Sequence, residues 1–521
     1  MFPLVYLVAL LIAGHNVNAD LPIHALIRDI AGKWQLYITQ PVGGLEVACG
    51  SSLPNTVEGN LELGDYLVYI KKNYGLNETL QFDLTLDVAG YDDHGRKHAR
   101  SFWHSLAVKD EEGRVVGRWT SIYDQGFEVV LHNGDRYFFY MNYTQRGADT
   151  YETDPTTTKI GWAYSTNGDN RSKATRRCAY GKKVDATPPA TAALVKLFTN
   201  NVNEKYRRTD RFIRNGDITL ASSTTSESVE KKRGTYPCSC EGMQQVTFTD
   251  TLPKEFRWHV KGPMKVVDQK RCGNCYAIAS RYVLQTRFLI QLKRLKHKNP
   301  RQLMALEELS NYPLDNMDTT TCDLFNQGCS GGYPYLSGKH MREFGLITTK
   351  NTKDHCSLVT SETRYFAKDY GYVGGCYQCT ACQGEDLIMR EIHENGPVIT
   401  AIDAAILKDE YDGSIITLKD GDTNSGICDI QNHPILTGWE YTSHAVAIEG
   451  WGEELVDGKV VKYWICRNSW GDYWGDGGYF KLVRGVNAFG IESEAVFIDP
   501  DVFRFSQKPN EAMQRHVHNH N

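Results

Sequence analysis

With 521 residues, the chain is too long for a single hydrophobic core, so two or three domains are expected. Its 58 basic and 63 acidic residues give a formal net charge of -5 at pH 7. A charge this close to balance excludes a global electrostatic attraction to nucleic acid or to an anionic membrane surface. Any electrostatic selectivity must therefore be local.

The chain begins with an apolar run of thirteen residues, FPLVYLVALLIAG, followed by small residues at Val17 and Ala19. This run is too short to span a bilayer and is typical of a secretory signal peptide at residues 1–19, whose removal makes Asp20 the N-terminus. An uncleaved buried strand is the alternative, since no Lys or Arg precedes the run. No other segment is apolar enough for a membrane helix, so we expect a soluble protein in a secretory or vacuolar lumen.

Cysteines and glycosylation sequons fit that compartment. The chain has 14 cysteines, which should mostly form disulfides in an oxidising lumen. Three sequons, at Asn77, Asn142 and Asn170, are candidate glycosylation sites. All three precede residue 185, which indicates a region with an exposed surface of its own.

Three regions differ in their hydrophobic pattern. Residues 20–184 contain short alternating runs separated by Gly, Asn and Asp, such as LQFDLTLDVAG, and these predict an all-β antiparallel barrel or sandwich. Residues 185–250 are polar with little apolar periodicity, which indicates a linker or a removable segment. Residues 251–505 mix helical and strand patterns and form a further domain, and the tail 506–521 is predicted to be disordered.

Residues 275–295 carry apolar side chains at helical spacing, so a helix is predicted with Cys275 at its start. The basic residues from Arg287 to Lys298 are interpreted as a solvated helix end. A cysteine at a helix N-terminus faces the positive end of the backbone dipole, which lowers its pKa and favours the nucleophilic thiolate. Cys272 lies three residues earlier, in QKRCGNCY. On spacing alone the pair is a metal clip, a redox dithiol, or half a disulfide beside a nucleophile.

A thiol nucleophile needs an imidazole to accept its proton and a third group to orient that imidazole. His444 stands at the start of an apolar strand in YTSHAVAIEGWG, and Asn468 is followed by tryptophan in RNSWGDYWGDGG. Gln269, six residues before Cys275, is placed to aim its amide beside the Cys275 backbone N–H and hold an oxyanion. A strand histidine alone is more often a packing residue, but the matched partners favour a catalytic role.

Four motifs in order, Gln-x5-Cys within QKRCGNCY, then GCSGG, SHAV and NSWGDYWGDGGYF, resemble the papain family of cysteine proteases. The resemblance implies a papain-like α+β catalytic domain, with a helical half and a β-barrel half and no metal or organic cofactor. It implies Cys275 as the nucleophile and His444 as the general base and then acid. It also implies that Asn468 orients His444 and that Gln269 donates to the oxyanion. The implied disulfides are Cys272–Cys329 and Cys322–Cys356. The substrate is expected beside the backbone of Gly331 and Gly332.

Motifs in the first domain narrow the resemblance. The segments DLPIHALIRDIAGKW, YDQGFEVVL, GWAY and RRCAYGKKVD are similar to the exclusion domain of the cathepsin C family, the dipeptidyl aminopeptidases of the papain family. The resemblance implies an enzyme of the lysosome, of an equivalent acidic vacuole or of the secreted fraction that removes dipeptides from free N-termini of peptides and proteins. Asp20 would bind the substrate's α-ammonium, and the barrel would close the groove two residues before the scissile bond. The alternatives are an endopeptidase with an open groove and a secreted binding protein without activity.

The same resemblance implies further sites and partners. Tyr335 and Tyr372 match tyrosines of the family's chloride site near the S2 pocket, with simple pocket-wall aromatics as the alternative. Cys49 and Cys178 match a disulfide of the exclusion domain. A homotetramer is implied, as is an activating protease that removes residues 185 to about 250.

Seven cysteines have no partner in this scheme. Six of them are Cys238, Cys240, Cys376, Cys379, Cys382 and Cys428. The run CYQCTACQ is compatible with an iron–sulfur or zinc site, but a fourth ligand is absent nearby and the compartment is oxidising, so extra disulfides are favoured. The seventh, Cys466, is predicted to be a buried free thiol in a core strand.

Overall fold

The computed structural model describes residues 25, 27–42, 49, 65–91, 100, 103–147, 150–167, 170–184, 194–196, 252–350, 363–377, 384–407, 411–417 and 442–506. Within these ranges, strands dominate up to residue 196, and helices mix with strands from residue 252 onward. The predicted fold class, an all-β first domain followed by an α+β domain, is confirmed.

An antiparallel barrel forms the first domain. Its described strands are β1 (Gly32–Val42), β2 (Leu76–Gly90), β3 (His104–Lys109), β4 (Val115–Ile122), β5 (Gly126–Leu131), β6 (Arg136–Gly147), β7 (Thr150–Thr158), β8 (Gly161–Asn167), β9 (Asn170–Lys183) and β10 (Leu194–Lys196). Neighbours follow the order β1-β2-β3-β4-β5-β6-β8-β9, and β9 pairs back onto β1, which closes the barrel. The strand β7 pairs with β6, β9 and β10.

Aromatic side chains and a disulfide hold the barrel together. The buried rings of Trp34 and Phe127 lie 5.2 Å apart, and the Trp34 indole N–H donates to the carbonyl of Ile30 at 2.8 Å. Ile30 ends the short helix α1 (Ile27–Ile30), and a second helix, α2 (Tyr66–Tyr74), precedes β2. The Cys49–Cys178 disulfide joins β9 to the segment after β1, with Cα atoms 5.5 Å apart. The barrel interior is thus a packed aromatic core.

The second domain places one long helix between shorter helices and a sheet. Its described helices are α3 (Cys275–Arg294), α4 (Pro300–Asn311), α5 (Asn316–Cys322), α6 (Pro334–Glu343) and α7 (Gly384–Asn395). Its described strands are β11 (Phe256–Arg257), β12 (Arg364–Tyr372), β13 (Val398–Ile402), β14 (Ile415–Ile416), β15 (His444–Val456), β16 (Lys459–Arg467), β17 (Tyr479–Val483) and β18 (Val496–Ser506). The sheet order is β12-β18-β13-β15-β16-β17-β14. The helix α3 is buried along most of its length, and its first residue, Cys275, contacts the start of β15.

A buried ionic cluster joins the two domains. Arg100 of the first domain contacts Glu391 at 2.8 Å and Asp499 at 2.9 Å, and Arg287 contacts the same two carboxylates at 2.8 and 2.9 Å. All four side chains are essentially without solvent contact. The interpretation of Arg287 as part of a solvated helix end is therefore wrong. Its guanidinium lies inside the protein because carboxylates from distant parts of the chain neutralise it.

A second buried contact joins β5 of the barrel to α6 and β12. The Glu128 carboxylate accepts hydrogen bonds from the hydroxyls of Tyr335 at 2.7 Å and Tyr370 at 2.6 Å. Arg136 and Lys339 lie 3.3 and 3.5 Å from the same carboxylate. The barrel is thereby fixed against the helical half of the second domain.

Candidate active site

Cys275 is the first residue of α3, where the first-turn backbone N–H groups lack partners within the helix. The backbone N–H of Ala445 donates to the Cys275 sulfur at 3.5 Å. Since Ala445 directly follows His444, this bond brings the start of β15 to the sulfur. The preceding Asn274 donates to the Thr320 hydroxyl at 3.1 Å, which holds the helix start against α5. The thiol is 1% exposed.

The register of the β15–β16 hairpin brings His444 and Asn468 together. Ala447 pairs with Arg467, so the first residue of β15 and the residue after β16 lie at the same end. His444 Nε2 and Asn468 Oδ1 are 2.7 Å apart. An amide oxygen only accepts hydrogen bonds, so Nε2 carries the imidazole proton and Nδ1 keeps a lone pair. The Trp470 ring lies 5.2 Å from the imidazole and covers this pair.

Burial sets the protonation of the two reactive groups. It raises the pKa of the Cys275 thiol to about 11, against backbone hydrogen bonds from Ala445 and Tyr276 that lower it. It lowers the pKa of His444 to about 4, against the bond to Asn468 that raises it. The sequence-based expectation of a lowered thiol pKa is therefore wrong for the substrate-free protein. The low polarity of the buried site disfavours both the negative thiolate and the positive imidazolium. For Cys275 this effect outweighs the helix dipole, which favours the thiolate.

The pH dependence of kcat/KM should follow the His444 value. An imidazole accepts a proton only when neutral, so activity is present above its pKa of about 4 and is lost as pH falls through it. A pH–rate profile on a fluorogenic peptide substrate measures this limb. In Asn468→Ala the limb should move to lower pH, because the bond that raises the pKa is gone, and the plateau should fall. A limb at the ordinary histidine value of 6.5 would contradict the assignment.

Gln269 lies in a loop that is held against the residue after Asn468. The Ser469 hydroxyl donates to Gln269 Oε1 at 2.5 Å, and Gln269 Nε2 donates to the Cys272 carbonyl at 3.0 Å. An amide nitrogen has two hydrogens, so Nε2 retains one for a substrate oxygen. Ser469 is a positioning residue that the sequence reasoning missed, although its place directly after Asn468 offered a signal.

The segment after α5 forms a wall near Cys275. The Cys272–Cys329 disulfide is present, with Cα atoms 4.5 Å apart, so the nearer cysteine of QKRCGNCY is bonded while Cys275 is free. Gly331 has φ +116°, which favours glycine. At Gly332, a Cβ would lie 2.5 Å from Asn326 Oδ1, so a side chain there would force a shift. Both glycines are buried in the substrate-free structure, so their place beside the substrate stays a prediction.

A turn of the barrel, residues 123–125 between β4 and β5, reaches this wall. The Tyr123 ring lies 5.8 Å from the ring of Tyr333, the residue after Gly332. The backbone N–H of Ala25 donates to the Asp124 carbonyl at 2.8 Å, so the start of the described chain lies on the same turn. Asp20 itself lies outside the described residues. Asp20 precedes Ala25 by five residues, so the two residues lie at most about 18 Å apart.

Glu494 is an acidic residue at the same end of the site as Asp124, and the sequence reasoning missed it. The Thr442 hydroxyl, two residues before His444, donates to Glu494 at 2.6 Å. Loss of hydration raises the pKa of Glu494 to about 7, the Thr442 bond opposes this shift, and the Asp124 carboxylate adds to it. Two carboxyl groups, one from each domain, therefore face this region.

Tyr335 and Tyr372, the predicted chloride-site residues, stack with ring centroids 4.8 Å apart, and both are buried. The Tyr335 hydroxyl donates to Glu128 at 2.7 Å, so it does not offer its proton to an anion in this structure. The Tyr372 hydroxyl accepts a hydrogen bond from the Tyr123 backbone, which leaves its own proton to donate. The Tyr335 and Tyr372 chloride site stays a prediction, and of the two hydroxyl protons only that of Tyr372 is not engaged by Glu128.

Several predicted residues are only partly placed. Cys322 and Cys376 are each disulfide-bonded, and Cys356, the partner predicted for Cys322, lies outside the described residues. Cys466 is a buried free thiol, as predicted. Also outside the described residues are Cys238, Cys240, Cys379, Cys382 and Cys428.

Two of the three sequons can be compared. Asn77 is exposed near the start of β2. The amide of Asn142 donates to the Thr157 hydroxyl at 3.1 Å, so a glycan there would replace an internal hydrogen bond. Asn77 therefore fits a glycosylation site better than Asn142.

Two kinds of feature are absent from the part of the chain that the structure describes. No helix there has the length and apolarity needed to cross a membrane. No group of three or more His, Cys, Asp or Glu side chains there is arranged to hold a metal ion.

Two family models match the chain. The papain family cysteine protease model matches residues 252–498, and the cathepsin C exclusion domain model matches residues 20–183. The first covers Cys275, His444 and Asn468, and the second covers the barrel.

Curated relatives show the same division. Dipeptidyl aminopeptidase 1 of Plasmodium falciparum (isolate 3D7) is 27% identical over 675 residues, which cover 94% of this chain and 95% of that protein. Cathepsin C of Schistosoma mansoni is 26% identical over 419 residues, covering 74% and 84%. A viral cathepsin of Adoxophyes honmai nucleopolyhedrovirus is 29% identical over 252 residues, covering only 47% and 61%. The first two alignments therefore extend well beyond a single domain of the chain.

Proposed function

Because the chain belongs to the papain family of cysteine proteases and carries a cathepsin C exclusion domain, we propose that it is a dipeptidyl aminopeptidase. It removes dipeptides from free N-termini of peptides and proteins in a lysosome, an equivalent acidic vacuole or the secreted fluid. The observation that carries this proposal is the contact of the barrel turn at Tyr123 with Tyr333, beside the wall near Cys275. A groove closed there admits only a short N-terminal segment.

In the proposed reaction, the Cys275 sulfur attacks the carbonyl carbon of the second residue while the thiol proton passes to His444 Nδ1. The Cys275 backbone N–H and the Gln269 amide donate to the oxyanion that forms. The C–N bond then breaks as His444 returns the proton to the leaving amine, and a dipeptidyl thioester remains. His444 next takes a proton from water, whose oxygen attacks the thioester. The dipeptide leaves, and the sulfur regains its proton.

The acidic groups at the closed end support an aminopeptidase. The substrate carries its free α-ammonium two residues before the scissile bond. Carboxylates form strong charge-assisted hydrogen bonds with this group. The Asp124 carboxylate creates negative potential there, whereas Glu494, whose pKa burial raises to about 7, is mostly neutral in an acidic compartment and offers a hydrogen-bonding oxygen. Asp20, at the N-terminus left by signal cleavage, is proposed as the direct ligand. A peptide with a blocked amino group would lose this pairing and meet the barrel.

Fluorogenic dipeptide substrates test the proposal. A free-amino dipeptide amide should be cleaved, whereas its N-acetylated twin should show at least about a hundredfold lower kcat/KM, because it loses a charged hydrogen bond and adds bulk at the closed end. Equal cleavage of both would support the open-groove endopeptidase instead.

A silent binding protein is the other rival function. An epoxide or vinyl-sulfone probe reacts with an activated active-site thiol. Labelling of Cys275 supports the enzyme, and its absence from a correctly folded, processed sample would support the silent protein. The arrangement of Cys275, His444, Asn468 and Gln269 favours labelling.

Further properties are proposed from the family resemblance. Chloride would be held by the Tyr372 hydroxyl, with the Tyr335 side chain excluded by its bond to Glu128. The mature enzyme would be a homotetramer, formed after an activating protease cuts within residues 185–250. Mature N-terminal sequencing should find Asp20 at the start of the barrel fragment.

A further inference from the structure

A small cavity lies behind the His444–Asn468 pair, between α3 and the β15–β16 hairpin. Its lining includes Arg281 on α3, Arg467 at the end of β16, and Asn468. Its narrow interior has room for about one water-sized species. The mechanism proposed above uses only the side of Asn468 that faces His444.

Two hydrogen-bond donors that line this cavity have no acceptor. Arg281 is 3% exposed, and its Nε and Nη1 atoms are buried without a hydrogen-bond partner. Asn468 is also 3% exposed, and its Nδ2 atom is equally without a partner. Buried donors are nearly always satisfied by protein or by ordered water, so these two groups, which face one cavity, are free to bind an acceptor there.

The charge around Arg281 is unbalanced. The buried Arg287 meets two carboxylates, but Arg281 makes no ion pair within the described ranges of the chain. Burial and the neighbouring Arg467 lower the pKa of Arg281 to about 10, against weaker opposing effects of Asp315 and Tyr282. Glu449 does not fill the gap, because it pairs with Arg257 at 3.0 Å and Arg467 at 3.8 Å. Counting Arg257, Arg281 and Arg467 against Glu449 and Asp315 leaves one positive charge in excess.

We propose that this cavity binds one small monovalent inorganic anion, of the size of chloride or bromide, with Arg281 as its counter-charge and the Asn468 amide nitrogen as a second donor. A water molecule would supply an acceptor but would leave the guanidinium charge uncompensated. This site is separate from the Tyr335–Tyr372 pair, whose residues do not line it.

The anion has a consequence for catalysis, and this part rests on the proposed function. Asn468 orients His444 only when its oxygen faces Nε2, which turns its nitrogen away from the imidazole, and Asn468 lines the cavity. An acceptor bound at Nδ2 fixes the amide in that orientation. Arg281 and the anion are thus positioning groups for the imidazole, without contact to the substrate.

Bromide locates the site directly, because its anomalous scattering identifies it in crystals of the full processed protein. We expect a bromide peak between Arg281 and Asn468 Nδ2, present in Tyr372→Phe and absent in Arg281→Met. A water or no density at Arg281, with bromide only near Tyr372, would overturn the proposal. Neither outcome depends on peptidase activity, so this test is independent of the proposed function.

A thermal measurement provides the solution test. Bromide should raise the Tm of the wild-type protein by several degrees relative to a sulfate control at equal ionic strength, since the bound ion stabilises only the folded state. Arg281→Met, which removes a buried charge without large loss of volume, should fold and lose this response. Arg281→Lys should keep a weakened response. An unchanged bromide response in Arg281→Met would contradict the assignment.

The catalytic consequence has its own readout. In wild-type protein, the rate of Cys275 labelling by an epoxide probe should rise several-fold on adding bromide, and in Arg281→Met it should not respond. If the bromide peak is present but labelling does not respond, the positioning role is wrong while the binding site stands.

Discussion

Replacing Cys275 with alanine should lower kcat for dipeptide release by at least about four orders of magnitude, because nucleophile removal leaves only binding and oxyanion contributions. The structure offers no replacement, since the other free thiol among the described residues, Cys466, is buried in β16. The measurement is steady-state hydrolysis of a free-amino fluorogenic dipeptide by the processed enzyme.

Cys466→Ala is the matched control. It removes the second free thiol from the same domain without touching the Cys275–His444–Asn468 set, so kcat should stay within about twofold of wild type. Retained dipeptide release in Cys275→Ala, or its loss only in Cys466→Ala, would contradict the assignment of the nucleophile.

Replacing Arg100 with leucine should lower the free energy of unfolding by about 3–5 kcal/mol, because it breaks a buried ion cluster from one side. Without Arg100, the buried Glu391 and Asp499 would share Arg287 alone, and one negative charge would remain uncompensated. Arg100 also lies 3.8 Å from the centroid of the Phe497 ring, a contact that leucine replaces only in part. Urea denaturation followed by tryptophan fluorescence measures the change.

Arg114→Leu is the control for this prediction. Arg114 pairs with Asp110 at 2.6 Å, but its side chain is 71% exposed, so its loss should have no measurable effect on unfolding. Equal behaviour of the two variants would show that the Arg100 cluster does not hold the domains together.

The Arg100 cluster also bears on function. It anchors the barrel to β18 and α7, and the turn at Tyr123 of the same barrel meets the wall near Cys275. Weaker docking should therefore open the closed end of the groove. We expect any folded Arg100→Leu protein to gain cleavage of N-acetylated peptides relative to wild type.

Local sequence patterns were sufficient for the elements that carry the site. Helical spacing predicted α3 and placed Cys275 at its start, and strand alternation placed His444 at the start of β15. These signals are reliable because they depend on neighbours a few residues away. Ordered motifs then linked the two elements with Asn468 and Gln269.

Long-range partners explain what the sequence reasoning missed. Arg287 is buried because it meets Asp499, 212 residues away, and Glu128 contacts Tyr335, 207 residues away. The raised pKa of Cys275 has the same origin, since burial under β15 depends on how distant segments pack. No periodicity in the chain contains this information.

The most direct test of the account is a product analysis by mass spectrometry on a defined linear peptide and its N-acetylated twin. The account predicts successive dipeptides from the free N-terminus, no internal fragments, and an untouched acetylated peptide. Internal cleavage of both peptides at similar rates would contradict a groove that the barrel closes beside Cys275.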